Sequence, residues 1–113
     1  MKKIEAIIRP EKFQDLRDTL DQKGVKGMTI SEVAGCGQQK GQEGMFRGTR
    51  YEIKLYPKVK VELVVDDHEV DLLVNTILNI CATGNVGDGK IFVTPVENVY
   101  RIRTGELGKE ALI

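Results

Sequence analysis

The stretch VKVELVVDDHEVDLLVNTILNIC, residues 59–81, predicts a strand followed directly by a helix. Apolar residues alternate along its first part, as in a strand with one buried face: Val59, Val61, Leu63 and Val65. Asp66 and Asp67 then offer side-chain oxygens that can cap the start of a helix. Six residues with helical spacing form one apolar stripe along that helix: Val70, Leu73, Val74, Ile77, Leu78 and Cys81. One face of the helix must therefore be buried.

The rest of the chain supplies the other elements of one small domain. Residues 4–8 alternate like a strand that stops at Pro10, and residues 11–23 carry a helical apolar stripe. Residues 27–36 are rich in strand-forming residues, and residues 90–96 form the last main strand. The predicted order is β-α-β-β-α-β, the α+β ferredoxin-like arrangement, in which both helices cover one face of an antiparallel sheet.

The sheet face opposite the helices carries apolar residues that no predicted element covers. Six residues are expected to face the helices: Ile4, Ile8, Val59, Val61, Ile91 and Val93. Alternation then points Ile7, Val64 and Phe92 the other way. A closed homo-oligomer would bury these residues and create clefts between its subunits. The alternative is a long loop that folds back over the sheet.

Composition and charge narrow the classes of function. The 113 residues, 41% of them hydrophobic, predict one domain over residues 1–113. Seventeen Lys and Arg residues balance seventeen Asp and Glu residues, so no overall field favours nucleic acid or an anionic membrane. The N-terminal residues contain no long apolar run, so we expect neither a signal peptide nor a membrane span there, and a cytoplasmic protein.

Single reactive side chains give little support for an enzyme. Cys36 and Cys81 have no CxxC partner, so neither a zinc site nor a disulfide framework is predicted, and both are expected to be small buried residues. His68 lies in the sequence Asp-Asp-His-Glu at the start of a helix, where we expect it to be exposed. Without a nucleophile, an acid–base pair or a metal centre, catalysis is not expected to be the function.

Four glycines and three cations surround two short strand-like runs in residues 83–106, TGNVGDGKIFVTPVENVYRIRTGE. Glycines let backbone N–H groups approach a ligand closely, and the cations Lys90, Arg101 and Arg103 suit an anion such as a phosphate. Gly-Asp-Gly is also an ordinary tight turn, and an Arg-x-Arg pair can coat a solvated strand. These residues alone leave both interpretations open.

The segment of residues 37–56 is glycine-rich and has no sustained apolar face before Tyr51. Compact domains rarely carry an insertion of this length unless it is functional or disordered. Its centre places Met45 and Phe46 beside Arg47, a composition that suits docking on a partner better than chemistry. We expect this segment to project from the domain and to move.

Several motifs together resemble the PII family of nitrogen-regulatory signalling proteins over essentially the whole chain. The motifs are IEAIIRPEK, VAGCGQQKG, RGTRYEIKLYPKVKVELVV and TGNVGDGKIFVTPVENVYRIRTGE, in the right order and with the right separations. The resemblance implies a homotrimer of ferredoxin-like subunits that binds ATP or ADP in three clefts between subunits. It also implies that the protein senses 2-oxoglutarate together with Mg-ATP. The long loop at about residues 37–56, called the T-loop, would then bind targets such as an ammonium transporter at the membrane's inner face.

The resemblance assigns residues to these ligands. It implies nucleotide contacts at Ile7, Thr29, Gly35, Cys36, Gly37, Gln38, Val64, Gly87, Asp88, Gly89, Lys90, Arg101 and Arg103. The turn of residues 87–90 would wrap the phosphates, and the two arginines, in a C-terminal segment at about 98–113, would come from a neighbouring subunit. It implies 2-oxoglutarate contacts at Gly37, Gln39, Lys40, Gly41 and Lys58.

Further roles follow from the same resemblance. Gln39 would complete the shell of the Mg ion, and Lys58 would pair with the distal carboxylate of 2-oxoglutarate. Without the resemblance, Lys58 and Lys60 would be interpreted as a solvated strand face. Three loop residues would contact the partner: Met45, Phe46 and Arg47. Tyr51 matches a residue that some bacterial relatives modify, and modification and simple packing both stay open.

Departures from the family pattern limit what it implies. Many relatives have an arginine where this chain has Gln38, so a preference for ATP over ADP could be weaker here. Asn85 replaces a frequent lysine and Phe46 a frequent tyrosine. Gly44 and Arg50 stand where acidic residues are often found, so the loop tip is less acidic and its partner could differ. The alternatives are a ferredoxin-like regulator outside nitrogen metabolism, which binds another small molecule, and a weak ATPase.

Overall fold

The computed structural model describes residues 1–36 and 54–112, which form one four-stranded antiparallel sheet with two α-helices on one face. The strands are β1 (Lys2–Ile8), β2 (Thr29–Gly35), β3 (Tyr56–Val65) and β4 (Lys90–Pro95), and the helices are α1 (Phe13–Gln22) and α2 (Val70–Cys81). The strand order across the sheet is β2-β3-β1-β4. The predicted α+β ferredoxin-like βαββαβ fold is confirmed.

The helices cover the sheet face that alternation predicts. Every second residue of β1 and β3 is buried against α1 and α2: Ile4, Ala6, Ile8, Val59, Val61, Leu63 and Val65. Leu16 and Leu20 of α1 and Leu73, Ile77 and Cys81 of α2 complete the core. The prediction that Leu78 belongs to the buried stripe of α2 is wrong, because it is 50% exposed where the helix faces an open groove beside β4. Burial of apolar side chains on this scale is the dominant stabilising contribution in a domain of this size.

The edge strand β4 departs from the prediction in one respect. Val93 pairs with Ile4 and lies on the helix face, but its side chain is 43% exposed. Between β4 and α2 an open groove of about 310 Å³ remains, lined mainly by apolar residues. An edge strand has a neighbour on one side only, which explains why the same alternation gives burial in β1 and partial exposure in β4.

Both helices begin differently from the prediction. A short 3₁₀ turn at Pro10–Lys12 precedes α1, because proline fits the first turn and lacks the N–H that a later turn would need. Before α2, Asp66 Oδ1 accepts a hydrogen bond from the N–H of Asp67 and caps a 3₁₀ turn at Asp67–Glu69. The predicted second cap, Asp67, is wrong, because its carboxylate pairs at 2.9 Å with the N-terminal amino group of Met1.

The open face of the sheet carries charges at its centre and apolar residues around them. Lys3 Nζ lies 3.2 Å from Glu62 Oε2, and Lys60 pairs with the same carboxylate at 3.7 Å. Phe92 is 48% exposed on this face. Ile7 and Val64 also lie on this face, as predicted, because they pair with Lys60 and Lys3.

Two cysteines differ in exposure. Cys81 is buried in the core, as predicted, and burial raises the pKa of its thiol to about 11. The prediction for Cys36 is wrong, because it follows the last residue of the edge strand β2 and is exposed. His68 is exposed at the start of the turn before α2, as predicted. In the described part of the chain, no helix has the length and apolar character to cross a membrane.

Candidate functional site

Residues 83–89 are rich in glycine, connect α2 to β4 and approach the end of β1. Together with Lys90, the first residue of β4, they form the 83–90 loop. Gly87 and Gly89 have φ angles of 104° and 97°, in the region that favours glycine. A Cβ built on Gly89 would lie 1.7 Å from the backbone oxygen of Ile7, a distance that no real contact allows. Position 89 therefore requires glycine for close approach to β1 as well as for its backbone angles.

The carboxylate of Asp88 organises this loop from inside. It accepts hydrogen bonds from the backbone N–H groups of Thr83, at 2.8 Å, and Gly84, at 2.9 Å, and from the Thr83 hydroxyl. Arg9, just after β1, donates from Nε to Asp88 at 2.9 Å and from Nη2 to the carbonyl of Val86 at 2.9 Å. These hydrogen bonds, led by that of the Thr83 hydroxyl, hold the pKa of Asp88 well below its usual range. Asp88 therefore acts as the internal anion of the loop.

The backbone of the same loop has three N–H groups for which no protein acceptor is described. Across residues 1–36 and 54–112, no hydrogen bond to protein uses the N–H groups of Gly87, Asp88 and Gly89. Successive N–H groups in turn conformations form concave anion-binding sites in proteins. Lys90 follows with an exposed side chain whose ammonium has no ion pair in the described structure. This combination of donors and an uncompensated cation fits a phosphate group.

Lys58 lies beside the loop and is not part of a solvated strand face. Its side chain is buried, with 8% of the residue exposed, and its Nζ donates to the carbonyl of Gly87. Burial first, and then the nearby Arg9, lowers the pKa of Lys58. A Cβ built on Gly35 would lie 3.5 Å from Lys58 Cγ, so the end of β2 packs against this lysine. The interpretation of Lys58 as solvated, made without the resemblance, is thus wrong.

Strand register brings part of the predicted nucleotide set together at one end of the open face. Ile7 pairs with Lys90 on one side and with Lys60 on the other. Thr29, by contrast, lies on β2, the edge opposite β4. Three strand spacings separate β2 from β4, about 14 Å across the sheet. Val64 lies two residues beyond Glu62, the partner of Thr29, and therefore also away from the loop.

The C-terminal arm, which we define as residues 98–112, holds the two predicted arginines. It folds back on itself through a bridge between Tyr100 and Leu107 and ends in a 3₁₀ turn at Gly108–Leu112. Arg101 Nη1 lies 2.5 Å from Glu106 Oε1. Arg103 is exposed and has no ion pair among the residues that the structure describes. Arg101 is therefore held by an ion pair, whereas Arg103 has none within the described residues.

Some predicted residues lie outside the described part of the chain. They are Gly37, Gln38, Gln39, Lys40, Gly41, Met45, Phe46, Arg47 and Tyr51. No sequence pattern pointed to Arg9 or Thr83, whose hydrogen bonds to Asp88 hold the loop. Arg9 precedes Pro10 at the end of a strand, and only the fold shows that it meets a loop nearly 80 residues later.

Comparison with known proteins identifies the family of this chain. The profile of the family described as nitrogen regulatory protein P-II matches residues 1–106. A relative of that name from Nostoc punctiforme is 53% identical over 99% of this chain and all of its own length. One from Pasteurella multocida is 51% identical over the same shares, and nitrogen regulatory protein P-II 2 from Methanothermobacter thermautotrophicus is 51% identical over 99% of this chain and 97% of its own. The chain belongs to the P-II family of nitrogen regulatory proteins.

Proposed function

We propose that this chain is a signalling subunit that binds ATP or ADP through the 83–90 loop and regulates nitrogen assimilation by docking on target proteins. The observation that carries the proposal is the loop itself, with three N–H donors beside the uncompensated Lys90. A phosphate chain needs several donors and positive charge at one place, and this loop supplies both. The regulatory names of the relatives support a signalling role over a catalytic one.

The active form in this proposal is a homotrimer, because one subunit does not bring the expected nucleotide residues together. Thr29 and Val64 lie away from Lys90 on the same open face, and the two arginines lie in the C-terminal arm. A second copy can place its own Thr29 edge and its Arg103 opposite the loop of the first. The exposed Phe92 would be covered in the same contact.

Lys58 supports a role for a second anion, 2-oxoglutarate, at the same loop. Its side chain is buried, and its ammonium donates to the carbonyl of Gly87, one of the residues with a proposed phosphate donor. When bound, Mg would link the oxo acid end of 2-oxoglutarate to ATP, with Gln39 as the expected protein ligand. Lys58 would then exchange the Gly87 carbonyl for the distal carboxylate.

The T-loop, at about residues 37–56, would carry the signal to partners. Gly35 and Cys36 precede this segment, and Lys58 follows it, so the proposed ligand site lies at its root. A ligand bound there changes which loop conformations are populated. In the cytoplasm, with ADP or ATP alone, the loop would present Arg47 to an ammonium transporter, and Mg-ATP with 2-oxoglutarate would prevent docking.

Calorimetry with ATP, ADP, AMP and 2-oxoglutarate, each with and without Mg, tests the ligands. We expect ATP and ADP to bind, and 2-oxoglutarate to bind only with ATP and Mg present. Lys58→Met should remove the 2-oxoglutarate response and keep most ATP affinity, whereas the matched control Lys60→Met on the same strand should keep both. Absence of any nucleotide binding would contradict the proposal.

Two further measurements test assembly and partner. Light scattering at micromolar concentration should give a trimer, and a stable monomer would contradict the shared site.

Capture of the cognate ammonium transporter should occur with ADP and fail with Mg-ATP plus 2-oxoglutarate. Arg47→Ala should abolish capture. Capture that ignores both the ligands and this substitution would leave a nucleotide-binding protein with another partner.

A further inference from the structure

Glu106 joins Arg101 through both side chain and main chain. Arg101 Nη1 lies 2.5 Å from Glu106 Oε1, and Arg101 Nη2 donates to the carbonyl of Glu110 at 3.1 Å. The backbone N–H of Arg101 donates to the carbonyl of Glu106 at 2.8 Å. Because a guanidinium is planar and rigid, the contacts of Nη1 with the carboxylate and of Nη2 with the carbonyl orient the whole group.

Thr104 fixes the carboxylate that Arg101 meets. Its hydroxyl donates to Glu106 Oε1 at 2.7 Å, and its Oγ1 accepts from the N–H of Glu106 at 3.2 Å. Gly105, with a φ of 75°, makes the turn between them, and its N–H donates to the carbonyl of Arg101 at 2.7 Å. The Thr104 hydroxyl, followed by Arg101, lowers the pKa of Glu106, so the carboxylate is charged at neutral pH.

We propose that Glu106 is a positioning residue for the phosphate site: it orients Arg101 and offsets its charge, so that residues 101–106 present one net positive charge to a nucleotide. That net charge resides on Arg103, which is exposed and has no ion pair within the described residues. The inference rests on the proposed function, in which the arm of one subunit meets the nucleotide of its neighbour.

A pair of substitutions separates the two effects of Glu106. In Glu106→Gln the amide oxygen still accepts from Thr104 and Arg101, while the negative charge is lost. ATP should then bind about two- to fivefold more tightly, ADP should gain less because it carries less charge, and added salt should reduce the gain. Glu106→Ala loses the charge and the acceptor together, so its ATP affinity should fall about fivefold or more below that of the glutamine variant.

Glu97→Gln is the matched control, because Glu97 is an exposed carboxylate close in sequence whose side chain has no described partner. It makes the same change in net charge at a carboxylate with no described contact to Arg101 and should alter ATP affinity less than Glu106→Gln does. A separate readout without nucleotide is the side-chain NMR signal of Arg101. It should show a restrained guanidinium in wild type and in Glu106→Gln, and an averaged one in Glu106→Ala.

The outcomes distinguish this inference from the function on which it rests. If wild type binds no nucleotide, the proposed function fails and this inference with it. If wild type binds ATP but the glutamine and alanine variants have equal affinity, the positioning role of Glu106 is overturned while the proposed function stands. An equal effect of Glu97→Gln would overturn the charge offset at Arg101.

Discussion

The 83–90 loop and the C-terminal arm each carry one cation without an ion pair among the described residues, Lys90 and Arg103, but the two segments are held together over different distances in the sequence. In the loop, Arg9 reaches Asp88 across 79 positions. In the arm, Arg101 reaches Glu106 across five positions. The loop therefore combines local contacts at Asp88 with one to the distant Arg9, whereas the described contacts that shape the turn of the arm are local.

The largest expected effect concerns the contact between the loop and β1. Gly89→Ala should lower the free energy of unfolding by roughly 3 kcal/mol or more, because the new Cβ would collide with the backbone of Ile7 at an unfavourable φ. The matched control is Gly24→Ala, which has a φ of 88° and no atom within 4 Å, and should cost about 1 kcal/mol. Urea unfolding measures both. Equal costs would show that the close approach to β1 is not needed.

The next effect concerns the unpaired cation of the loop. Lys90→Ala should weaken ATP and ADP binding about ten- to a hundredfold, because a charged phosphate contact is lost while no ion pair among the described residues is lost. Lys23→Ala removes an exposed lysine at the end of α1 and should leave the affinity nearly unchanged. Calorimetry compares the two variants. Similar losses in both would mean that Lys90 acts only through overall charge.

The next effect concerns the negative charge of Asp88, which organises the 83–90 loop and whose contribution to stability depends on pH. Its folded-state pKa is held low, so its contribution to stability is complete above about pH 4, the ordinary pKa of an aspartate, and is lost as the pH falls toward the folded value. Asp88→Asn should therefore be less stable than wild type at pH 7, with the difference shrinking below about pH 4. Thermal unfolding across this range is the measurement. A difference that does not change with pH would contradict the role of the Asp88 charge.

The smallest expected effect concerns the arm. Lys109 Nζ lies 3.1 Å from Asp66 Oδ2 and ties the arm to the start of α2, but the lysine is well exposed. Lys109→Ala should shift the thermal midpoint by about 2 °C or less, because exposed ion pairs contribute little. Scanning calorimetry can test this. A large loss would show that the arm depends on long-range contacts as the loop does.

Most of the fold was predictable from the sequence because two-residue and helical periods report burial directly. The pattern of residues 59–81 predicts the strand and the helix that the structure shows, with most of their buried faces, although Leu78 of the helical stripe is exposed. Cys36 was predicted wrongly, because burial at the end of an edge strand depends on neighbours that the local pattern does not contain. Val93 shows the same limit, since alternation identifies its face but not the open groove beside it.

The site was predictable in part. Gly87, Gly89 and Lys90 carry a recognisable glycine and charge pattern, and the structure places them in one loop. The roles of Arg9 and Lys58 depend on strand pairing, which no local pattern reports. An arginine before a proline and a lysine in an alternating strand are ordinary surface patterns, so only the register shows that both meet the loop.

The central claim is that nucleotide phosphates bind at residues 87–90. Backbone NMR of the full chain titrated with ATP tests this most directly. We expect the largest chemical-shift changes at the N–H groups of Gly87, Asp88 and Gly89, smaller changes at Arg103 and none at Lys23. The largest shifts along the groove between α2 and β4, at Val74, Leu78 and Val93, with the loop unchanged, would contradict it.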